Sequence, residues 1–334
     1  MGTRQKDQRW VLAVGALFFC SLVCLSIAYP FPAAAQWKPD KAIQFVVPYA
    51  PGGGSDVFAR TMVNILKEEN LCPVPLVVNN QPGGSSTIGT TSVAHSKGNV
   101  LMLLTFISGQ VAAPLTAGKA AATYRDLTTI CNLANDEQFI VVKTDSPIKG
   151  VEDLLAKAKE KAGAMTIAGT ATGQEDQMCN RLVERAAGIK LRYVPFNSGG
   201  ECITALLGGH VDMIWANPSE FVPQYEAKMV RPVVVAKEVR VEGFKDVPTF
   251  KEKGYNVTFK FFRGIAAPPD IPAETVAFYE SMFKKMFDSP RFKKEYLEKY
   301  MLSPAWLGSK DATKMVAESE GLFQGILKEL ELIK

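Results

Sequence analysis

Histidine is nearly missing from this chain. Its 334 residues contain two, His95 and His210, so a zinc site built from two or more imidazoles has very little to draw on. Cysteine is sparse as well. Cys20 and Cys24 lie in an apolar leader, and Cys72, Cys131, Cys179 and Cys202 are widely spaced with no C-x-x-C pair among them. Export would permit disulfides, yet a domain of this size does not need them, and the expectation is free, buried thiols. Neither charge sign is in excess: the formal net charge is +4, and removal of residues 1–35 leaves 35 basic against 33 acidic side chains. No basic block with interleaved aromatics occurs, which removes nucleic acid from the expected partners. The dinucleotide spacing G-x-G-x-x-G, the triphosphate loop G-x-x-x-x-G-K-[ST] and the nucleophile elbow G-x-S-x-G are all absent. The residues present no assembled nucleophile, base and orienter, and no cofactor or metal is implied. His95, in VAHSKGN, is expected at a solvent-facing helix end. His210, in LLGGHVD, falls between a helix and a strand. Cys202 opens the helix ECITALL, but its neighbour Glu201 works against a thiolate, so it reads as a packed thiol.

What is present begins with the leader. Arg4, Lys6 and Arg9 precede the apolar run VLAVGALFFCSLVCLSIA and the small residues Ala33, Ala34 and Ala35. This is the order of a secretory signal peptide cleaved before Gln36. The run is also just long enough to span a bilayer as an uncleaved anchor, and the cleavage site favours export. Neither Cys20 nor Cys24 follows the small residue that lipid modification requires. The rest, in a chain that is 47% hydrophobic and 22% charged overall, has the composition of a globular protein of roughly two domains.

Short apolar runs alternate with helical spacing, which predicts an α/β fold with largely parallel sheets. Strands are expected at 43–50, 75–80, 100–106, 139–143, 165–169, 191–196, 211–216 and 231–237. Helical patterns fall at 57–66, 151–163 and 175–188, the last two ending at glycines suited to a left-handed cap. The last sixty residues read as mostly helical: 271–287, with proline in its first turn, and 311–332.

One unit recurs. VVPYAPGGGSD, TIAGTATGQED and YVPFNSGGE each join a strand, a turn of glycine or small residues, and a helix whose first turn is acidic. Helix starts carry unpaired backbone N–H groups and partial positive charge, and glycine lets a ligand approach them. Such turns also occur simply because tight turns need positive φ, and acidic first-turn residues simply cap helices. Asp56 would repel an anion and is therefore assigned to capping, with the N–H groups of Gly53, Gly54 and Ser55 facing a ligand.

VVPYAPGGGSDVFAR, VVNNQPGGSSTIG, YRDLTTICNLANDEQFIVVKTDSPIKGVEDLLAKAK, VPFNSGGECITALLGGHVDMIWANPSE and FFRGIAAPPDIP together resemble the extracytoplasmic solute receptors of tripartite tricarboxylate transporters, the TctC-like or Bug-type receptors. The similarity runs in order through essentially the whole mature chain. It implies a two-lobed type II periplasmic binding protein without enzymatic activity, a monomer that captures a small organic carboxylate and delivers it to large and small integral membrane subunits. Lobe one would hold 37–135 plus 241–334, and lobe two 136–240. Carried over by motif, the ligand-binding residues would be Tyr49, Gly53, Gly54, Ser55 and Asp56, then Gly83 and Gly84, then Phe106 and Ser108. Lobe two would add Thr170, Thr172, Gly173 and Gln174, then Asn197, Ser198, Gly199 and Gly200, then Asn217 and Ser219. Gln174 departs from the serine common at that point, and Phe262 from the tryptophan that commonly precedes the Arg-Gly pair. Arg263 is the cation best suited to a second carboxylate, since guanidinium pairs bidentately with that group; an inter-lobe or surface ion pair is the competing role.

Two other readings remain open on the residues alone. One is a secreted α/β enzyme using His210 or Cys202, and the other a sensory receptor binding the same acids.

Overall fold

The computed structural model describes residues 37–117, 121–259, 261–329, 331 and 333. The expected signal peptide lies outside them. Among the described residues, no helix is long and apolar enough to cross a membrane.

Two mixed sheets organise the chain. The first contains β1 (Ile43–Val47), β2 (Leu76–Asn80), β3 (Met102–Ile107), β4 (Thr128–Asp136), β10 (Phe261–Ala267) and β11 (Ser303–Gly308), in the order β11-β4-β10-β3-β1-β2. The second contains β5 (Phe139–Lys143), β6 (Thr166–Thr170), β7 (Arg192–Phe196), β8 (Met213–Ala216) and β9 (Val230–Val235), in the order β7-β6-β8-β5-β9. All eight expected strands are present within a few residues. The parallel character expected of the sheets holds for β2-β1-β3 and β7-β6-β8. The remaining pairings are antiparallel.

The reason lies in how the chain crosses. Only Glu137 and Gln138 separate β4 from β5, so one extended segment leaves the first sheet and enters the second. The chain returns between Val235 and Phe261, and β10 then runs back beside β4. Strands that carry the crossing must oppose one another, whereas strands linked through helices run parallel.

Among the described residues, the α-helices of two turns or more are α1 (Gly54–Glu68), α2 (Thr87–Ala94), α3 (Ser108–Ala117), α4 (Val151–Glu160), α5 (Glu175–Ala187), α6 (Gly199–Leu207), α7 (Pro218–Glu226), α8 (Ala273–Phe287) and α9 (Ser309–Glu329). In α1 the buried positions Phe58, Met62, Ile65 and Leu66 recur at helical spacing and face the core. Each contributes about 1.5–3 kcal/mol relative to exposure, enough that loss of any one would be felt. Gly188 caps α5 with φ of +63°, as expected, whereas α4 stops at Glu160, three residues short of Gly163. Pro272 is the N-cap of α8 rather than part of its first turn.

Cys131, Cys179 and Cys202 are buried free thiols, and Cys72 is half-buried and also free. Burial pushes the Cys202 thiol far above its ordinary value, in keeping with a packed rather than reactive group.

Candidate functional site

The carboxyl ends of β1, β6, β7 and β8 lead through short turns into α1, α5, α6 and α7, and the starts of these helices meet at one cleft. Open α/β sheets bind ligands at this edge. Ten expected residues line it: Tyr49, Gly53, Gly54, Ser55, Thr170, Gln174, Ser198, Gly199, Asn217 and Arg263. Ile107, Phe261, Phe262, Glu175, Asp176 and Glu220 complete the wall. The enclosed space is about 40 Å³, room for one or two waters. An organic acid would need the walls to separate.

Close approach explains the glycines. Only Gly52 of the triple run has positive φ, +83°. A Cβ at Gly53 would lie 3.0 Å from the Ser198 Cβ and 3.3 Å from the Gly199 nitrogen, and one at Gly54 2.5 Å from Arg263 Nη2 and 3.0 Å from Ser219 Oγ. At Gly200 it would meet the Gly52 carbonyl carbon and oxygen at 2.9 Å. The two glycine turns thus let the starts of α1 and α6, packed on different sheets, approach closely, with the Glu220 carboxylate lodged against Gly199 and Gly54.

The helix starts already hold carboxylates. Gly54 N–H donates to Glu220 Oε1 and Asn217 N–H to Glu220 Oε2, at 3.1 and 3.0 Å. Gly52 N–H donates to Asp56, which also accepts from Arg60 and Asn80; these bonds hold the Asp56 carboxyl below its usual range although burial opposes them. Its role is the capping one. Thr170 N–H donates to Asp176, Gly173 N–H to Gln177, and Asn197 N–H to Glu201. The expectation that Gly54 presents a free N–H to a ligand is therefore corrected: the chain's own Glu220 takes it.

Other expected residues sit behind or beside the cleft. Ser108 Oγ accepts from Phe262 N–H, and Phe106 packs edge-on against the Phe262 ring. Gly83, Thr172 and Asn197 line a neighbouring hollow with Ser85 and Ser86, and Gly200 a shallower one with the exposed His210. Gly84 shapes the same turn as Gly83, with φ of +57°. Ser219 is buried at the start of α7 and its Oγ has no partner. His95 is exposed at the end of α2, as expected.

Gln174 bridges the cleft. Its Oε1 accepts from the Tyr49 hydroxyl at 3.1 Å, and its Nε2 donates to the Ser85 carbonyl at 2.5 Å and to Ser86 Oγ at 2.9 Å. Thr172 N–H adds a bond to Ser85 Oγ. Arg263 forms the second tie. Buried on β10, it pairs with Asp136 at the end of β4 and donates through Nη2 to Asn217 Oδ1, while Asn217 Nδ2 donates to the Glu137 carbonyl. Burial opposes the Arg263 charge, but Asp136 outweighs it and raises the pKa further, so the guanidinium stays protonated.

The model of the tripartite tricarboxylate transporter family receptor, TctC, matches residues 59–332. The chain belongs to this family. This receptor is 26% identical over 307 residues to a Cupriavidus necator protein described as a UPF0065 protein in the gbd 5' region, covering 92% of this chain and 93% of that one. It is 27% identical to protein BugT of Bordetella pertussis over 67% and 69% of the two chains. Among solved structures it resembles the periplasmic binding protein BugD, with a TM-score of 0.82 at 23% identity over 89% and 99% of the chains. A Rhodopseudomonas palustris protein, MatC, solved with bound malate, has a TM-score of 0.79 at 22% identity over 86% and 99%, and another R. palustris structure, with adipate, 0.82 at 21% over 88% and 98%. The fold is that of the two-lobed periplasmic binding proteins.

The receptor's acidic wall is what the sequence reading missed. Burial raises Glu220, and it raises Asp176 well above the carboxylate range with Glu220 adding repulsion. Burial pushes Glu175 up to about 7 against hydrogen bonds and the attraction of Arg263. The available signal for Glu175 and Asp176 was the acidic first turn of α5, read as capping alone, and for Glu220 the NPSE turn, read only for Asn217 and Ser219. Asp176 and Glu220 do accept backbone N–H bonds, but they also line the cleft.

Proposed function

We propose that this receptor is exported to the periplasm, captures a small organic carboxylate between its lobes and delivers it to the large and small membrane subunits of a tripartite transporter. The observation that carries this reading is the convergence of helix starts from both sheets on one cleft, tied across by Gln174 and Arg263. Lobe one comprises 37–135 plus 241–334 and lobe two 136–240, a division supported by the two sheets and the short double crossing between them. Malate and adipate in two structures of the same fold favour a compact organic acid. Hinge closure expels water, strengthens each charge-assisted bond and creates a shape that a membrane partner can distinguish from the open form.

The receptor acts without catalysis. His210 is exposed outside the cleft and Cys202 is buried on the core face of α6, so neither candidate of the enzyme reading reaches a bound acid. Native mass spectrometry of the purified protein, followed by a thermal-shift panel of organic acids, tests the proposal. A co-purifying acid returned intact and a raised Tm are expected; conversion of the acid during prolonged incubation would sink it.

A further inference from the structure

The charges in the cleft do not suit a plain polyanion. Glu175, Asp176 and Glu220 line it against a single cation, Arg263, whose charge Asp136 already matches. Asp176 accepts from Gln138 Nε2 and Thr170 N–H, and Glu220 from Gly54 and Asn217 N–H, so both carboxylates are satisfied within the protein. Glu175 differs. It receives a backbone bond from Gly109, but its Oε1 has no partner, although the residue is only 5% exposed and faces the cleft. A buried acceptor without a donor is costly, and more so for a carboxylate. Ser219 Oγ, also without a partner, lies toward Gly54 and Arg263. The cleft therefore has an unmet acceptor at the start of α5 and an unused hydroxyl at the start of α7.

Resting on the solute-receptor reading, we infer that the ligand is an amino-carboxylic acid whose protonated nitrogen pairs with Glu175 Oε1, while its carboxylate faces Ser55, Ser219 and Arg263. A second carboxylate in place of the ammonium would enter against three acidic side chains, whereas an ammonium supplies the donor that Glu175 lacks. A metal ion does not fill this role: among the described residues, no three acidic, His or Cys groups are arranged to hold one.

Matched pairs differing only in the amino group test this by calorimetry: L-aspartate with succinate, L-glutamate with glutarate, 4-aminobutyrate with butyrate, and L-alanine with propionate. In the pairs that bind, the amino member is expected to be at least ten-fold tighter, and E175Q to weaken it about ten-fold or more without weakening its partner, whose repulsion by Glu175 it relieves. Binding of the amine-free acids as tightly as or more tightly than the amino acids overturns the inference but leaves the receptor reading standing. An unchanged ratio in a folded E175Q overturns it too. Binding of no member, together with a failed panel of plain mono-, di- and tricarboxylates, overturns both.

Discussion

Gly200→Ala separates the stability of a lobe from the closure of the cleft. Gly200 sits in the first turn of α6 without positive φ, so alanine suits the helix and would contribute up to about 1 kcal/mol to it. Its Cβ would nevertheless stand 2.9 Å from the backbone carbon and oxygen of Gly52, atoms with no rotamer to escape into. Ordinary carbon contacts lie at about 3.5–4.0 Å, so the two turns must part by roughly half an ångström or more. Overpacking of this kind costs about 1–3 kcal/mol. In the proposed hinge closure the open form avoids this contact, and the cost falls on the closed state rather than on folding. Affinity for the tightest-binding acid should therefore drop about ten- to hundred-fold, with the ligand-free Tm at or near that of the wild type. Calorimetry and thermal denaturation on the same preparation read both quantities. Wild-type affinity in G200A would refute the close-approach argument, and a ligand-free Tm lowered by many degrees would show that the two turns are part of the folding core instead.

Gln174→Ala removes three cross-cleft bonds, each worth about 0.5–1.5 kcal/mol; affinity for the tightest-binding acid should fall about ten-fold or more, and unchanged affinity would show that the tie does not support the closed form. Arg263→Ala leaves Asp136 buried and unpaired and should lower stability by about 3–5 kcal/mol, with Asp136→Asn in the same chain restoring part of it; equal Tm values for the single and double variants would contradict the pairing. Glu175 and Glu137 are both raised by burial to about 7 from an ordinary value near 4.5. The folded state then binds more protons than the unfolded one, so the stability they confer is full below about 4.5 and is lost as pH rises through 7. The ligand-free Tm should be higher at pH 5.5 than at pH 8, and E175Q should shrink that difference. Asp56, held low, acts in the opposite sense only at more acidic pH.

Eight strands were legible from their apolar runs: six are mostly buried, which leaves a local signature, and the edge strands β2 and β7, though largely half-exposed, still carry LVV and YVPF. β4, β10 and β11 were not. TTICNLAND carries Asn132, Asn135 and Asp136, and its polar groups find partners far along the chain: Asn132 Nδ2 donates to the Ala305 carbonyl, and Asp136 pairs with Arg263. FFRGIAA places an arginine mid-strand, and SPAWLG opens on Ser-Pro. Each is a strand only because its tertiary neighbour is present. The Gly-rich turns were legible as helix starts at a cleft, whereas the buried ion pair of Arg263 with Asp136 and its bond to Asn217 on the second sheet's side come from residues far apart in the chain. What local spacing could not carry was that Glu220, 166 residues away, would close the α1 start.

Solution scattering of the purified receptor, stripped of co-purifying solute and then titrated with the acid that raises its Tm most, tests the central claim most directly. The account predicts a smaller radius of gyration that saturates with binding and reverses when the acid is removed intact. A saturating thermal shift with no compaction would contradict it.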